Sequence, residues 1–118
     1  IILLDEATAM LDPRGRQEVL ETVSRLNREK GITVVMITHH MDEAELADRL
    51  IVMNRGEVYL DGAPRDIFQR VEELRRIGLT VPETVKLLSE LRQAGLDVPL
   101  SAVSVEECAD AICAALKA

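Results

Sequence analysis

The side chains best suited to chemistry are Asp5 and Glu6, adjacent at the end of the apolar run Ile1-Ile2-Leu3-Leu4, and His39, at the end of a second apolar run. Neighbouring carboxylates beside an imidazole suit metal-assisted hydrolysis, in which one carboxylate serves a divalent cation and another acts as general base on water. The plainer reading, that Asp5-Glu6 caps the turn after its run, stands beside this one. His40 follows His39, but adjacent side chains diverge on both strand and helix, so the pair is not expected to share one ion.

Three elements must position these groups. Ile1 to Leu4 is continuously apolar, which predicts a strand buried on both faces, as in a parallel sheet. Asp12 is placed to cap a helix and Pro13 to occupy its first position; Val19, Leu20, Val23 and Leu26 then recur at helical spacing until Gly31. Ile32 to Ile37 is apolar and largely β-branched, a second strand ending at Thr38-His39. Strand, helix and strand make a right-handed crossover pairing two parallel strands. Parallel strands end at one sheet edge, where ligands bind, so Asp5, Glu6 and His39 converge.

Beyond them, Met41 to Ala47 reads as a short helix bearing Asp42, Glu43 and Glu45. Leu50 to Met53 and Val58 to Leu60 flank Asn54-Arg55-Gly56-Glu57, a hairpin signal that closes the sheet with antiparallel strands. Ala63-Pro64 opens a further helix. From about Arg70 the strand pattern disappears, leaving helical segments punctuated by Gly78, Pro82, Gly95 and Pro99. The expected organisation is therefore an α/β region over 1–69 and a helical region over 70–118. Gly78-Leu79-Thr80-Val81-Pro82 and Gly95-Leu96-Asp97-Val98-Pro99 look alike, but two copies make similar connections rather than a solenoid. Amphipathic spacing at Val85, Leu88 and Leu91, and at Ala109, Ile112 and Leu116, fits either a helical cap or a dimer contact.

Composition removes whole classes of function. A net charge of -7 with one Tyr, one Phe and no Trp argues against nucleic acid, whose binders cluster Lys and Arg and stack bases on aromatic rings. No run of about 18 apolar residues exists to span a bilayer, so membrane contact is expected only through partners. Cys108 and Cys113 fall on different faces of a helical stretch and read as small core filler. The chain opens with Ile1 in an apolar run rather than with Met, which suggests a missing N-terminal part. No glycine begins the G-x-x-x-x-G-K-[ST] run that cradles phosphates, and no Gly-rich signature loop is present.

Ile1 to Pro13, with Asp5-Glu6-Ala7-Thr8-Ala9-Met10-Leu11-Asp12, resembles the Walker B segment and D-loop of ABC-type ATPases, and Ile37-Thr38-His39 resembles their switch-histidine loop. The resemblance implies an α/β P-loop NTPase fold, here a partial parallel sheet with a closing antiparallel hairpin followed by a small all-helical region. It implies ATP and Mg2+ as ligands, with Asp5 holding the metal through water, Glu6 polarising the attacking water and His39 contacting the γ-phosphate. Asp12 would be the polar contact of a loop meeting a partner subunit across the nucleotide. The sequence departs from the usual pattern at Ala7, Ala9 and His40, where Pro, Ser and an acidic residue are common, and none of these removes a catalytic group.

Within that class, residues 7–16 and 38–44 look most like the ATPase subunits of energy-coupling-factor transporters, which import vitamins or transition-metal ions; the helical tail resembles their C-terminal extension. The resemblance implies a second ATPase subunit, the same or a paralogue, a transmembrane coupling subunit and a membrane substrate binder, with the ATPase peripheral on the cytoplasmic face. Without the phosphate-binding and signature loops, this chain alone is not expected to hydrolyse ATP. Two alternatives remain at this point: an ABC-type ATPase of chromosome maintenance or repair, and a dimerising module with structural carboxylates.

Overall fold

The computed structural model describes residues 1–117 and divides into two compact units, Ile1–Glu43 and Ala44–Ala118. In the first, β1 (Ile2–Asp5) pairs in parallel with β2 (Val34–Ile37), Ile2 opposite Val34 and Asp5 opposite Ile37. The crossover is α1 (Pro13–Lys30). Asp12, extended, caps it by accepting from the Gly15 amide at 2.9 Å, and Pro13 loses nothing at a first-turn position whose N–H has no helical partner. At the other end the Gly31 amide donates to the Asn27 carbonyl at 3.1 Å, and Asn27 Nδ2 bonds the Ile32 carbonyl at 2.8 Å.

Within this chain the two strands are covered on one face only. Ile2, Leu4, Val34 and Met36 are half-buried, whereas Leu3 and Val35 are exposed. Successive strand residues face opposite sides, and a single crossover helix can lie on only one side of the pair, so burial alternates.

A short helix, α2 (Met41–Ala44), spans the junction of the two units. In the second unit β3 (Leu50–Asn54) and β4 (Glu57–Gly62) form an antiparallel hairpin that is a sheet of its own. Asn54 faces Glu57 across the two-residue turn Arg55-Gly56, both at positive φ, as a type I′ turn requires. Arg49 grips Asp61 with two hydrogen bonds at 2.8 and 2.6 Å, which hold the Asp61 carboxyl below its ordinary value.

Four helices follow: α3 (Pro64–Phe68), α4 (Val71–Arg76), α5 (Glu83–Gln93) and α6 (Val105–Lys117). The two Gly-Leu-x-Val-Pro segments are the same helix stop used twice. At each, the glycine takes positive φ (81° at Gly78, 102° at Gly95) and its amide bonds back to Arg75 or Arg92; the following leucine amide reaches Leu74 or Leu91 at 3.0 Å. That is the Schellman arrangement, and it needs a left-handed residue. The copies then diverge: Pro82 opens α5 directly, whereas α6 begins beyond Pro99 behind Ser104, whose Oγ accepts the Glu107 amide at 3.1 Å while the Glu107 carboxylate accepts the Val103 amide at 3.0 Å. Leu88, Val98, Ala102 and Cys108 form the buried cluster between α5 and α6, with Leu91, Leu96 and Ile112 against it. Cys108 is core as expected, and burial raises its thiol pKa; Cys113 is exposed, and both are free.

Candidate functional site

The carboxyl edge of the β1–β2 pair gathers the residues that the sequence singled out. Asp5 is the last residue of β1, exposed and in register with Ile37. Glu6 continues the ladder by one bond, its amide donating to the Ile37 carbonyl at 2.9 Å, and then turns sharply, with φ of 48°. A non-glycine residue in that left-handed region carries about 1–2 kcal/mol of backbone strain. The turn is held by the Ala9 amide on the Glu6 carbonyl and the Leu11 amide on the Thr8 carbonyl, both at 3.1 Å.

His39 follows β2 by two residues, and its Nδ1 lies 3.2 Å from Glu6 Oε1. A carboxylate only accepts, so this bond places a proton on Nδ1 and leaves Nε2 pointing away from Glu6 as the second polar atom of the ring. Both side chains are about half exposed, 51% for Glu6 and 61% for His39, and accessible to a ligand. Contrary to the expected divergence, the rings of His39 and His40 lie 4.5 Å apart at a 32° tilt, because the chain has left the extended conformation by then. No group of three or more His, Cys, Asp or Glu side chains among the described residues is arranged to hold a metal. Asp5 and Glu6, both exposed at the strand end, offer carboxylate oxygens of the kind a hard divalent cation takes. Asp12 lies at the start of α1, with Oδ1 engaged by the Gly15 amide.

Directly behind the edge lies a cluster that sequence reading passed over. Glu43 on α2 is only 4% exposed and Thr8 2%. Glu43 Oε1 accepts from the Thr8 hydroxyl and from Arg16 Nη2 at 3.0 Å; Oε2 accepts from the Thr38 hydroxyl at 2.6 Å. Thr38 Oγ1 in turn accepts the His40 amide at 3.0 Å, and Arg16 also reaches Asp42 at 3.2 Å. Burial pushes the Glu43 carboxyl up, but the bonds from Thr38, Thr8 and Arg16 together outweigh it and hold the group below the ordinary glutamate value. Among the described residues no buried side-chain polar atom lacks a partner. Nothing in the local pattern marks Glu43, since a four-residue helix carrying Asp42 and Glu43 in its first turn reads as a solvated one.

No protein-family model matches the chain. Among curated proteins it is 52% identical over 112 residues to "Energy-coupling factor transporter ATP-binding protein EcfA1" of Caldanaerobacter subterraneus subsp. tengcongensis, covering 95% of this chain and 40% of that protein. It is 59% identical over 102 residues to the protein of the same name from Geobacillus kaustophilus, covering 86% of this chain and 36% of that one. The chain thus spans about two-fifths of the length of the curated relatives it matches. A solved structure described as cbiO1 from Clostridium perfringens, part of the ABC transporter complex cbiONQ, superposes with a TM-score of 0.53 at 36% identity, over 74% of this chain and 35% of that one. With these identities extending over nearly its whole length, and with the strand-end carboxylates and histidine brought to one edge of a parallel pair, this chain belongs to the energy-coupling-factor branch of the ABC-type ATP-binding proteins.

Proposed function

We propose that this chain supplies the water-activating part of the nucleotide site in an ATP-hydrolysing subunit of an energy-coupling-factor importer. The observation that carries this reading is the contact between Glu6 and His39 at the ends of two parallel strands. Glu6 acts as general base, drawing a proton from the water that attacks the γ-phosphate in line; a positioned base contributes roughly a hundredfold to ten-thousandfold. His39 holds the Glu6 carboxylate through Nδ1 and keeps the catalytic geometry beside the γ-phosphate. Asp5, one residue before Glu6, holds Mg2+ through water, and Asp12 keeps the helix start in place beside the loop that meets a second ATPase subunit. Mg2+, when bound with ATP, neutralises charge on the phosphate oxygens. The phosphate-binding and signature loops are not in this chain, so the complete site needs residues outside it.

Residues 1–69 then belong to the nucleotide-binding domain, and 70–118 form a helical extension beyond it. In this reading the ATPase is held at the cytoplasmic face by a transmembrane coupling subunit and a substrate-binding component; the described residues contain no helix long and apolar enough to cross a membrane. The test is ATP turnover by the full-length protein with its transmembrane partners, comparing the unaltered protein with Glu6→Gln. Turnover should fall at least a hundredfold while ATP binding stays within about twofold. Unchanged turnover would remove Glu6 from the mechanism.

A further inference from the structure

Two loops carry the groups assigned above: the segment after β1, with Glu6, and the segment after β2, with His39. The backbone joins them through the single ladder bond from the Glu6 amide to Ile37, and the side chains through the contact between Glu6 and His39. A third link lies deeper. Thr8, two residues after Glu6, and Thr38, one residue before His39, both donate their hydroxyls to the same buried carboxylate, one to each oxygen of Glu43. We propose that Glu43 is a positioning residue for hydrolysis: it locks the Glu6 loop to the His39 loop so that base and switch histidine keep the separation the reaction needs. This proposal rests on the reading of Glu6 as general base.

A carboxylate has no proton to offer, so both threonine hydroxyls must point at it, and neither loop can move without breaking a bond to a charged acceptor. Arg16, on α1, donates to Oε1 through Nη2 at 3.0 Å and Nε at 3.3 Å and fixes the position of the carboxylate itself. The clamp continues to the backbone, because Thr38 Oγ1 also accepts the His40 amide and so sets the chain direction on both sides of His39. On the other loop, Thr8 is anchored two residues beyond the strained backbone of Glu6, and its carbonyl accepts from Leu11. Slack at Thr8 therefore transmits to the Glu6 carboxylate, and displacement of a reacting group by about 1 Å is enough to cost up to a hundredfold in rate. Glu43 touches no reacting atom; its effect is on kcat through geometry, with nucleotide binding left to residues elsewhere.

The test uses the full-length protein assembled with its transmembrane partners, with kcat and KM for ATP measured separately. Thr8→Val, of nearly the same shape but without the hydroxyl, should lower kcat at least tenfold with KM within about twofold, and Thr8→Ser, which restores the donor, should recover most of it. Glu43→Gln should lower kcat as well, and the double variant Thr8→Val with Glu43→Gln should be no slower than the slower single variant, since both break the same link. Because Thr8→Val could prevent folding, Thr8→Ser and Glu43→Gln are read independently, alongside thermal melting. A folded Glu43→Gln or Thr8→Val with unchanged kcat overturns the positioning role and leaves Glu6 as base untouched; so does equal loss in the Ser and Val variants. Turnover that survives Glu6→Gln overturns the catalytic reading and this proposal with it.

Discussion

Glu6 stands in the left-handed region with φ of 48°, and this makes a comparison of two variants lacking its carboxylate informative. Glu6→Ala and Glu6→Gly both remove the carboxylate and its contact with His39, so any difference between them belongs to the backbone at residue 6. At an ordinary position alanine is the more stable of the two by about 0.5–1 kcal/mol, because glycine loses more freedom on folding. At residue 6 alanine must bear the left-handed penalty of about 1–2 kcal/mol, which glycine escapes. The order therefore reverses, with Glu6→Gly the more stable by about 1 kcal/mol, or roughly 2–4 °C in midpoint for a chain of a few hundred residues. Thermal and urea melts of the two full-length variants measure it. If Glu6→Ala melts at or above Glu6→Gly, the backbone at Glu6 is relaxed and the strain assigned to the site does not exist. If the order is reversed as expected, the carboxylate is held in place against its own backbone preference, as is common where geometry serves function.

Two further outcomes follow from the packing and the charge network. Leu88→Ala, at a fully buried site between α5 and α6, should cost about 2–5 kcal/mol, whereas Leu87→Ala, next to it and 45% exposed, should cost about 1 kcal/mol or less; hydrogen exchange of the α5 and α6 amides separates the two. The Glu43 carboxyl is held below its unfolded value, so its contribution to stability is complete above about pH 4.3 and is lost as pH falls through the lower folded value. The stability difference between the unaltered protein and Glu43→Gln, followed by melting from neutral to acid pH, should accordingly be constant near neutrality and close in acid. A gap that widens in acid would show that the carboxyl is raised instead.

Much of the site was legible because its signals are local or periodic. Asp12-Pro13 announces a helix start through two neighbouring residues, and the Arg55-Gly56 turn is marked by the residues that form it. The convergence of Glu6 with His39 followed from one step of topology, since parallel strands joined by a helix must end at the same edge. The repeated Gly-Leu-x-Val-Pro segments were recognisable as helix stops, although the sequence did not say that the second would be followed by several residues before Ser104 caps α6.

What the sequence by itself determined was the set of chemical groups and the order of elements that deliver them, because periodicity, capping and turn chemistry act over a few residues. Tertiary structure alone decided which charges are buried. Thr8 and Glu43 are 35 residues apart, and each would pass for a surface residue in its own segment; only the crossover that brings the two loops together turns them into a closed, fully bonded cluster. The same holds for the apolar run Ile1 to Leu4, for which burial on both faces was expected: within this chain, about two-fifths of its relatives' length, a single crossover helix covers one face and Leu3 stays exposed. Burial is a property of what lies across space, and hydrogen bonds that outweigh desolvation need donors from several elements at once, which no window of sequence contains.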